Sequence, residues 1–155
     1  MKWKIPPKIK IYEALGCLAD NRIKEEKNEI RIYSSSLNKF YIIKYSESEN
    51  AIMTNDNGSY WKGYLGYPGI TYLMKIGKIK YAEKFSQALK GIKWKDINQK
   101  FKNDFDKTIE YLHKSLVLQG INLKEFGEEI DNILKQIELL NLNLLGNKIL
   151  PPKGY

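Results

Sequence analysis

Residues 54–69 read Thr54-Asn55-Asp56-Asn57-Gly58-Ser59-Tyr60-Trp61-Lys62-Gly63-Tyr64-Leu65-Gly66-Tyr67-Pro68-Gly69, and one backbone pattern gives way to another here. Before this stretch apolar residues alternate; after it they recur every three or four positions. Four glycines and four large aromatics share these sixteen positions, which excludes a regular helix or strand. Pro68 suits a first helical turn, where its missing N–H costs no hydrogen bond. The segment is therefore a tight passage from a sheet to a helix.

Upstream of it, Ile30 and Ile32 alternate with Arg31 and Tyr33 as a half-buried strand. Residues 39–45 form its hairpin partner across a turn at 35–38. Residues 51–53 add a short third strand, and 22–27 a fourth at the far edge. Pro6-Pro7 opens a helix over 8–19, with Ile9, Tyr12, Leu15 and Leu18 at helical spacing.

Downstream, Ile70, Leu73 and Met74 stripe a short helix that Gly77 ends, and Tyr81, Phe85 and Leu89 mark another. Asp96 reads as the N-cap of one long helix through Ile97, Phe101, Phe105, Ile109, Leu112 and Leu116, ending at Gly120. Asn122 with Glu125 caps a last helix carrying Phe126, Ile130, Ile133 and Ile137. The expected fold class is α+β: an N-terminal helix, a three- to four-stranded antiparallel meander, a tight glycine-aromatic loop into a short helix, and a C-terminal helical hairpin. The expected organisation is an α+β domain over 1–80, a helical extension over 81–145 packing on it, and an extended tail over 146–155.

With 155 residues the chain fits one domain. No apolar run approaches the roughly 18 residues of a membrane span, and the basic N-terminus lacks the apolar core of a secretory signal. Cys17 is alone in an apolar setting, which predicts a buried inert thiol and a reducing, cytoplasmic home. The formal charge is +8, and residues 75–114 hold eleven lysines against five acids. That is the footprint of a partner for nucleic acid or another acidic surface. Only Arg22 and Arg31 supply guanidinium groups, so bidentate base recognition has few candidates.

Signatures of catalysis are absent. His113 is the only histidine and reads as a surface group. No metal-binding, redox, nucleophile-elbow or phosphate-loop motif occurs. Ser34-Ser35-Ser36 has no base beside it and reads as turn chemistry, and Asp56 reads as an Asx-type turn. The expectation is a non-enzyme with no cofactor and no metal.

The loop itself supports several readings. The amides of Gly69 and Ile70 at a helix start would take an anion, with Lys62 or Lys75 nearby. An enzyme built on that 66–70 anion site is a further alternative. Tyr60, Trp61, Tyr64 and Tyr67 would stack nucleobases. They would equally serve to cap the open end of the sheet.

IRIYSSSLNKFYIIKY and YPGITYLM give residues 30–77 a resemblance to a SWIM-type domain. That family pairs a β-hairpin with a CxC turn and a helix opening Pro-Cys-x-His. The resemblance puts Gly69 and Thr71 at its second Cys and its His, and TNDNGS carries no CxC, so it implies a SWIM-like unit without zinc. Members bind DNA or proteins, and the same is implied here.

The expected function is a small basic non-catalytic binding protein that contacts nucleic acid with weak sequence preference. Trp61 and Tyr64 would stack, and Lys62, Lys75, Lys78, Lys80, Lys93, Lys95, Lys100 and Lys102 would meet phosphates. The alternative is a protein-interaction module or homodimer using 122–145, where Leu139, Leu140, Leu142, Leu144 and Leu145 extend an apolar stripe.

Overall fold

A computed structural model describes residues 1–153; the last two residues of the expected 146–155 tail lie outside the described residues. The fold is α+β. Helix α1 (Ile9–Ala19) leads into the meander β1 (Ile23–Glu26), β2 (Glu29–Tyr33), β3 (Phe40–Ser46) and β4 (Ala51–Thr54). A single π-helical turn, Gly58–Lys62, then delivers the chain to α2 (Tyr67–Lys75). Helices α3 (Glu83–Ala88), α4 (Trp94–Lys100), α5 (Phe105–Leu118) and α6 (Leu123–Leu140) follow, and β5 (Asn143–Leu144) closes the order.

The four meander strands pair antiparallel in sequence order, with Ile23 opposite Ile32 and Ile30 opposite Ile43. Lys27 and Asn28 both take positive φ, the two-residue hairpin geometry that matches the natural twist of paired strands. Arg31 is consumed on this outer sheet: it reaches Glu26 at 3.2 Å and Glu29 at 2.8 Å and lies over the Phe40 ring.

β5 has no counterpart in the sequence reading. Asn141 turns left-handed at the end of α6, and the chain returns to pair β5 parallel with β4, Ala51 facing Asn143. The N-terminal strand-like segment is woven in as well: Trp3 donates its indole N–H to the Ile52 carbonyl, and its amide bonds Leu142. Leu142 is thus only 4% exposed, while Leu139 is 73% exposed. The leucine stripe expected to face a partner is largely spent inside the chain, because a strand edge had amides to satisfy. The tail is likewise anchored, with the Leu150 carbonyl accepting from Asn55 and Lys148 donating to the Tyr60 carbonyl.

One continuous apolar core runs through segments 1–80 and 81–145. α1 lies at its centre, with Ile9, Ile11, Ala14, Leu15 and Cys17 fully buried, and the helix packs against α2, α3 and α6. An amphipathic helix turns one face to water; this one is enclosed all round. Cys17 is buried as expected, and that burial raises its pKa to about 11.

The single long helix expected from Asp96 is two. Lys102 and Asn103 take left-handed φ of +51° and +60°, and Asp104 caps α5 by accepting from the Lys107 amide at 3.2 Å. Asn and Asp side chains compete with the helix for backbone partners, so the apolar period continued while the backbone broke. Asn122 caps α6 as expected, accepting from Glu125 at 3.0 Å.

Gly66 lies where any Cβ would overlap the buried Asp56 carboxylate, whereas nothing lies near a Cβ on Gly120, whose φ is +80°. Gly66→Ala is expected to cost about 3 kcal/mol by overpacking. Gly120→Ala should cost about 1 kcal/mol through backbone strain alone. Urea unfolding of both variants measures the difference; equal losses would remove the special status of Gly66.

His113 is half-buried, 2.8 Å from the Tyr12 hydroxyl, with the Phe126 ring at its edge. Burial lowers its pKa from the ordinary value. The neutral ring is the folded form, so its contribution is fully present above about pH 6.5 and fades as pH falls through the lower folded value. Unfolding midpoints between pH 8 and pH 5 should fall less steeply in His113→Gln than in the natural chain.

Candidate functional site

The loop that carries the chain from sheet to helix is held by one carboxylate. Asp56 Oδ1 accepts from the Thr54 hydroxyl at 2.9 Å and from the Ser59 hydroxyl at 2.7 Å, and Oδ2 accepts from the Ser59 amide at 3.1 Å. The Ser59 oxygen in turn accepts from the Gly66 amide at 2.9 Å. The end of β4, the π-helical turn and the start of α2 are thereby fastened together. Gly58 and Gly66 are required by close approach: a Cβ on Gly58 would overlap the Tyr64 ring.

So fastened, the loop forms one wall of a cleft of about 550 Å³. Trp61, Lys62 and Tyr64 come from the loop, Lys10 and Glu13 from α1, and Arg22 from the turn after it. Lys39 and Tyr41 enter from the sheet, and Trp94, Lys95, Asn98 and Lys102 from α4 and the break behind it. The helix break that the sequence hid thus carries Lys102 to the rim.

Among the described residues, six basic side chains meet two carboxylates in this cleft. Both carboxylates are engaged: Asp56 in the loop, and Glu13 with Lys10 at 3.3 Å. Burial pulls the Lys10 ammonium down, but Glu13, with smaller help from Tyr64 and Asp56, more than offsets it and raises the pKa. Lys39 shifts the other way, lowered by burial and by the neighbouring Lys95 charge. An anion between such lysines would relieve the crowding.

Arg22 is 4% exposed. Its Nη1 donates to the Tyr33 carbonyl at 2.7 Å; among the described residues Nε and Nη2 make no well-aligned hydrogen bond, although Tyr67 and Asp20 both favour the charged guanidinium. Asp20 lies 3.5 Å from Nε as an ion pair. Buried donors without acceptors cost roughly 1–3 kcal/mol each, and the neighbouring Tyr67 and Asp20 groups offset part of that here. The Tyr67 ring lies 5.9 Å from the guanidinium carbon. Burial raises Tyr67 well above its ordinary value, and burial raises Tyr64 as well. Both hydroxyls remain protonated donors at neutral pH.

Trp61 is 67% exposed at the mouth, with Tyr60 packed edge-on at 4.6 Å. The aromatics are therefore divided between roles: Trp61 faces solvent, while Tyr64 and Tyr67 are half-buried in the wall.

The expected lysines do not form one surface. Lys62, Lys95 and Lys102 converge on the cleft. Lys93 and Lys100 line a separate groove beside Tyr111. Lys75 and Lys80 are exposed elsewhere, and Lys78 is ion-paired with Glu47. The anion site expected at Gly69 and Ile70 is closed: both are buried, Leu65 lies against Gly69, and the Ile70 amide bonds the Gly66 carbonyl at 3.2 Å. Packing against Thr54 and Ile52 took the space that an anion needed. Thr71 spends its hydroxyl on the Tyr67 carbonyl at 2.7 Å. Among the described residues no group of three or more His, Cys, Asp or Glu stands together to hold a metal ion.

Lys10, Glu13, Arg22, Lys39, Tyr41, Trp94 and Asn98 are cleft residues that sequence reasoning missed. The scarcity of arginine was the one available signal for Arg22. The others come from elements far apart in the chain and share no motif.

Among the described residues no helix is long and apolar enough to cross a membrane. No curated protein and no solved structure matches the chain. Residues 3–143 match the family model described as uncharacterised conserved protein UCP014422, and with most of its length covered the chain belongs to that family.

Proposed function

We propose that the chain is a non-catalytic binding protein that takes an unpaired nucleotide of a nucleic-acid strand into the cleft. The observation that carries this is an exposed Trp61 at the rim of a cleft lined by six basic side chains. An indole free on one face offers a stacking surface to any base, and lysines meet phosphates without reading sequence. The volume, about 550 Å³, lies within the range of small-ligand sites. Trp61, Tyr64, Lys62, Lys95 and Lys102 carry the contact; Lys75, Lys78, Lys80, Lys93 and Lys100 lie outside it. A reducing, cytoplasmic home belongs to the same reading and rests on the lone, buried Cys17. Kinship with SWIM-type domains, if taken up, assigns the work of the lost metal to Asp56 and Ser59.

The alternative of a protein partner or second copy on 122–145 is the weaker reading: Leu123 and Leu139 are exposed at opposite ends of α6, while Leu142 and Ile137 are inside.

Fluorescence anisotropy with a labelled single-stranded oligonucleotide tests the reading. Binding at 50 mM salt should weaken steeply by 300 mM. Trp61→Ala should lose roughly 5- to 150-fold, the equivalent of about 1–3 kcal/mol of stacking. Lys102→Gln should lower both affinity and salt dependence, and Lys75→Gln should change neither. The absence of salt-sensitive binding at 50 mM salt would end the nucleic-acid reading.

A further inference from the structure

We propose that the floor of the cleft is a site for a terminal phosphate monoester, held by Arg22, so that the protein engages the phosphorylated end of a strand. This rests on the nucleic-acid reading above and narrows it.

The first argument is the donor geometry. Nη1 of Arg22 is tied to the Tyr33 carbonyl, which fixes the plane of the guanidinium. Nε and Nη2, the two nitrogens of one edge, make no well-aligned hydrogen bond in a side chain only 4% exposed. That edge is the fork that grips two oxygens of one phosphate. Asp20, at 3.5 Å from Nε, and the Tyr67 side chain hold part of the charge, but neither completes a well-aligned hydrogen bond to that edge. The other oxygen of Asp20 accepts from the Gly91 amide at 2.8 Å, which keeps it from turning fully onto the guanidinium.

The second is enclosure. Cys17, whose carbonyl accepts from the Arg22 amide at 3.3 Å, is fully buried, and the Tyr67 ring lies 5.9 Å from the guanidinium carbon. A phosphodiester within a strand needs a path out on both sides. Arg22 Nε and Nη2 are buried, so a group must push past the Tyr67 ring to meet them, and the free end of a strand has one attached side to accommodate where an internal phosphate has two. That suits an end group.

The third is charge. A monoester carries nearly two negative charges at neutral pH, against one for a diester. Lys39 and Lys95 line the same cleft, where burial and the Lys95 charge together disfavour the charge on Lys39. The Asn98 oxygen, also on the wall and without a donor, would accept from a base amino group or a sugar hydroxyl of the same terminal nucleotide.

The test compares one short oligonucleotide bearing a 5′-phosphate, a 3′-phosphate or hydroxyls at both ends, at 50 mM salt and pH 7.5. One phosphorylated end should bind at least tenfold tighter than the hydroxyl-ended strand. The advantage should shrink below about pH 6, where the monoester dianion takes up a proton and becomes singly charged like a diester. In Arg22→Lys, checked for folding by circular dichroism and thermal unfolding, the ratio between ends should fall towards one. Displacement of the phosphorylated strand by a nucleoside monophosphate, but not by equal inorganic phosphate, would mark the terminal nucleotide as the unit held. Equal affinity for phosphate and hydroxyl ends overturns the proposal while the strand reading stands. No binding of any oligonucleotide overturns the strand reading itself. Because the comparison of ends and the pH series use the natural chain, an Arg22 variant that fails to fold leaves the proposal open to refutation.

Discussion

A single buried carboxylate sets the geometry on which the cleft depends. Asp56 gathers the Thr54 and Ser59 hydroxyls and the Ser59 amide, and Ser59 passes the connection on to Gly66. Hydrogen bonds to a charged acceptor contribute about 1.5–3 kcal/mol each, more than neutral ones. They hold a π-helical turn that has little intrinsic stability. The same network explains why glycine stands at 66, since a methyl group there would enter the space that the carboxylate fills. Without that clasp, Trp61, Lys62 and Tyr64 would have no fixed relation to α1 or α4.

The enclosed helix α1 is the second support. Its apolar residues knit the sheet to α2, α3 and α6, and its polar residues Lys10 and Glu13 reach the cleft as an ion pair. Arg22 follows directly after it, anchored on the Tyr33 carbonyl. The cationic floor and the core are therefore built by one segment. Moving α1 to repair a core defect would also move the floor.

Much of the architecture was legible because it rests on local patterns. Alternation placed β2 and β3, Pro68 and the glycines placed the sheet-to-helix passage, and Asn122 placed the start of α6. The misses share a cause. Lys102, Asn103 and Asp104 interrupted an apolar period that continues unbroken through Phe101 and Phe105, so periodicity saw one helix where backbone capping made two. β5 was hidden because two residues carry no period, and only the open edge of β4 calls them into the sheet. At the site, Trp61, Lys62 and Tyr64 were found by composition. Lys75 and Lys80, equally basic, are carried to other faces by helices whose direction no local rule states.

The sequence by itself determined the α+β class, the order of helix and meander, the buried Cys17 and the position of the glycine-aromatic passage. These follow from hydrophobic period, turn residues and the φ preferences of glycine and proline, all properties of neighbours in the chain. The tertiary structure alone decided that Trp61 faces solvent, that the amides of Gly69 and Ile70 are covered, and that Arg22 meets Lys39, Lys95 and Lys102 around one cleft. Those are relations between segments far apart in sequence. Burial and charge combine there only after the core has set each element's direction, so no pattern along the chain could carry them.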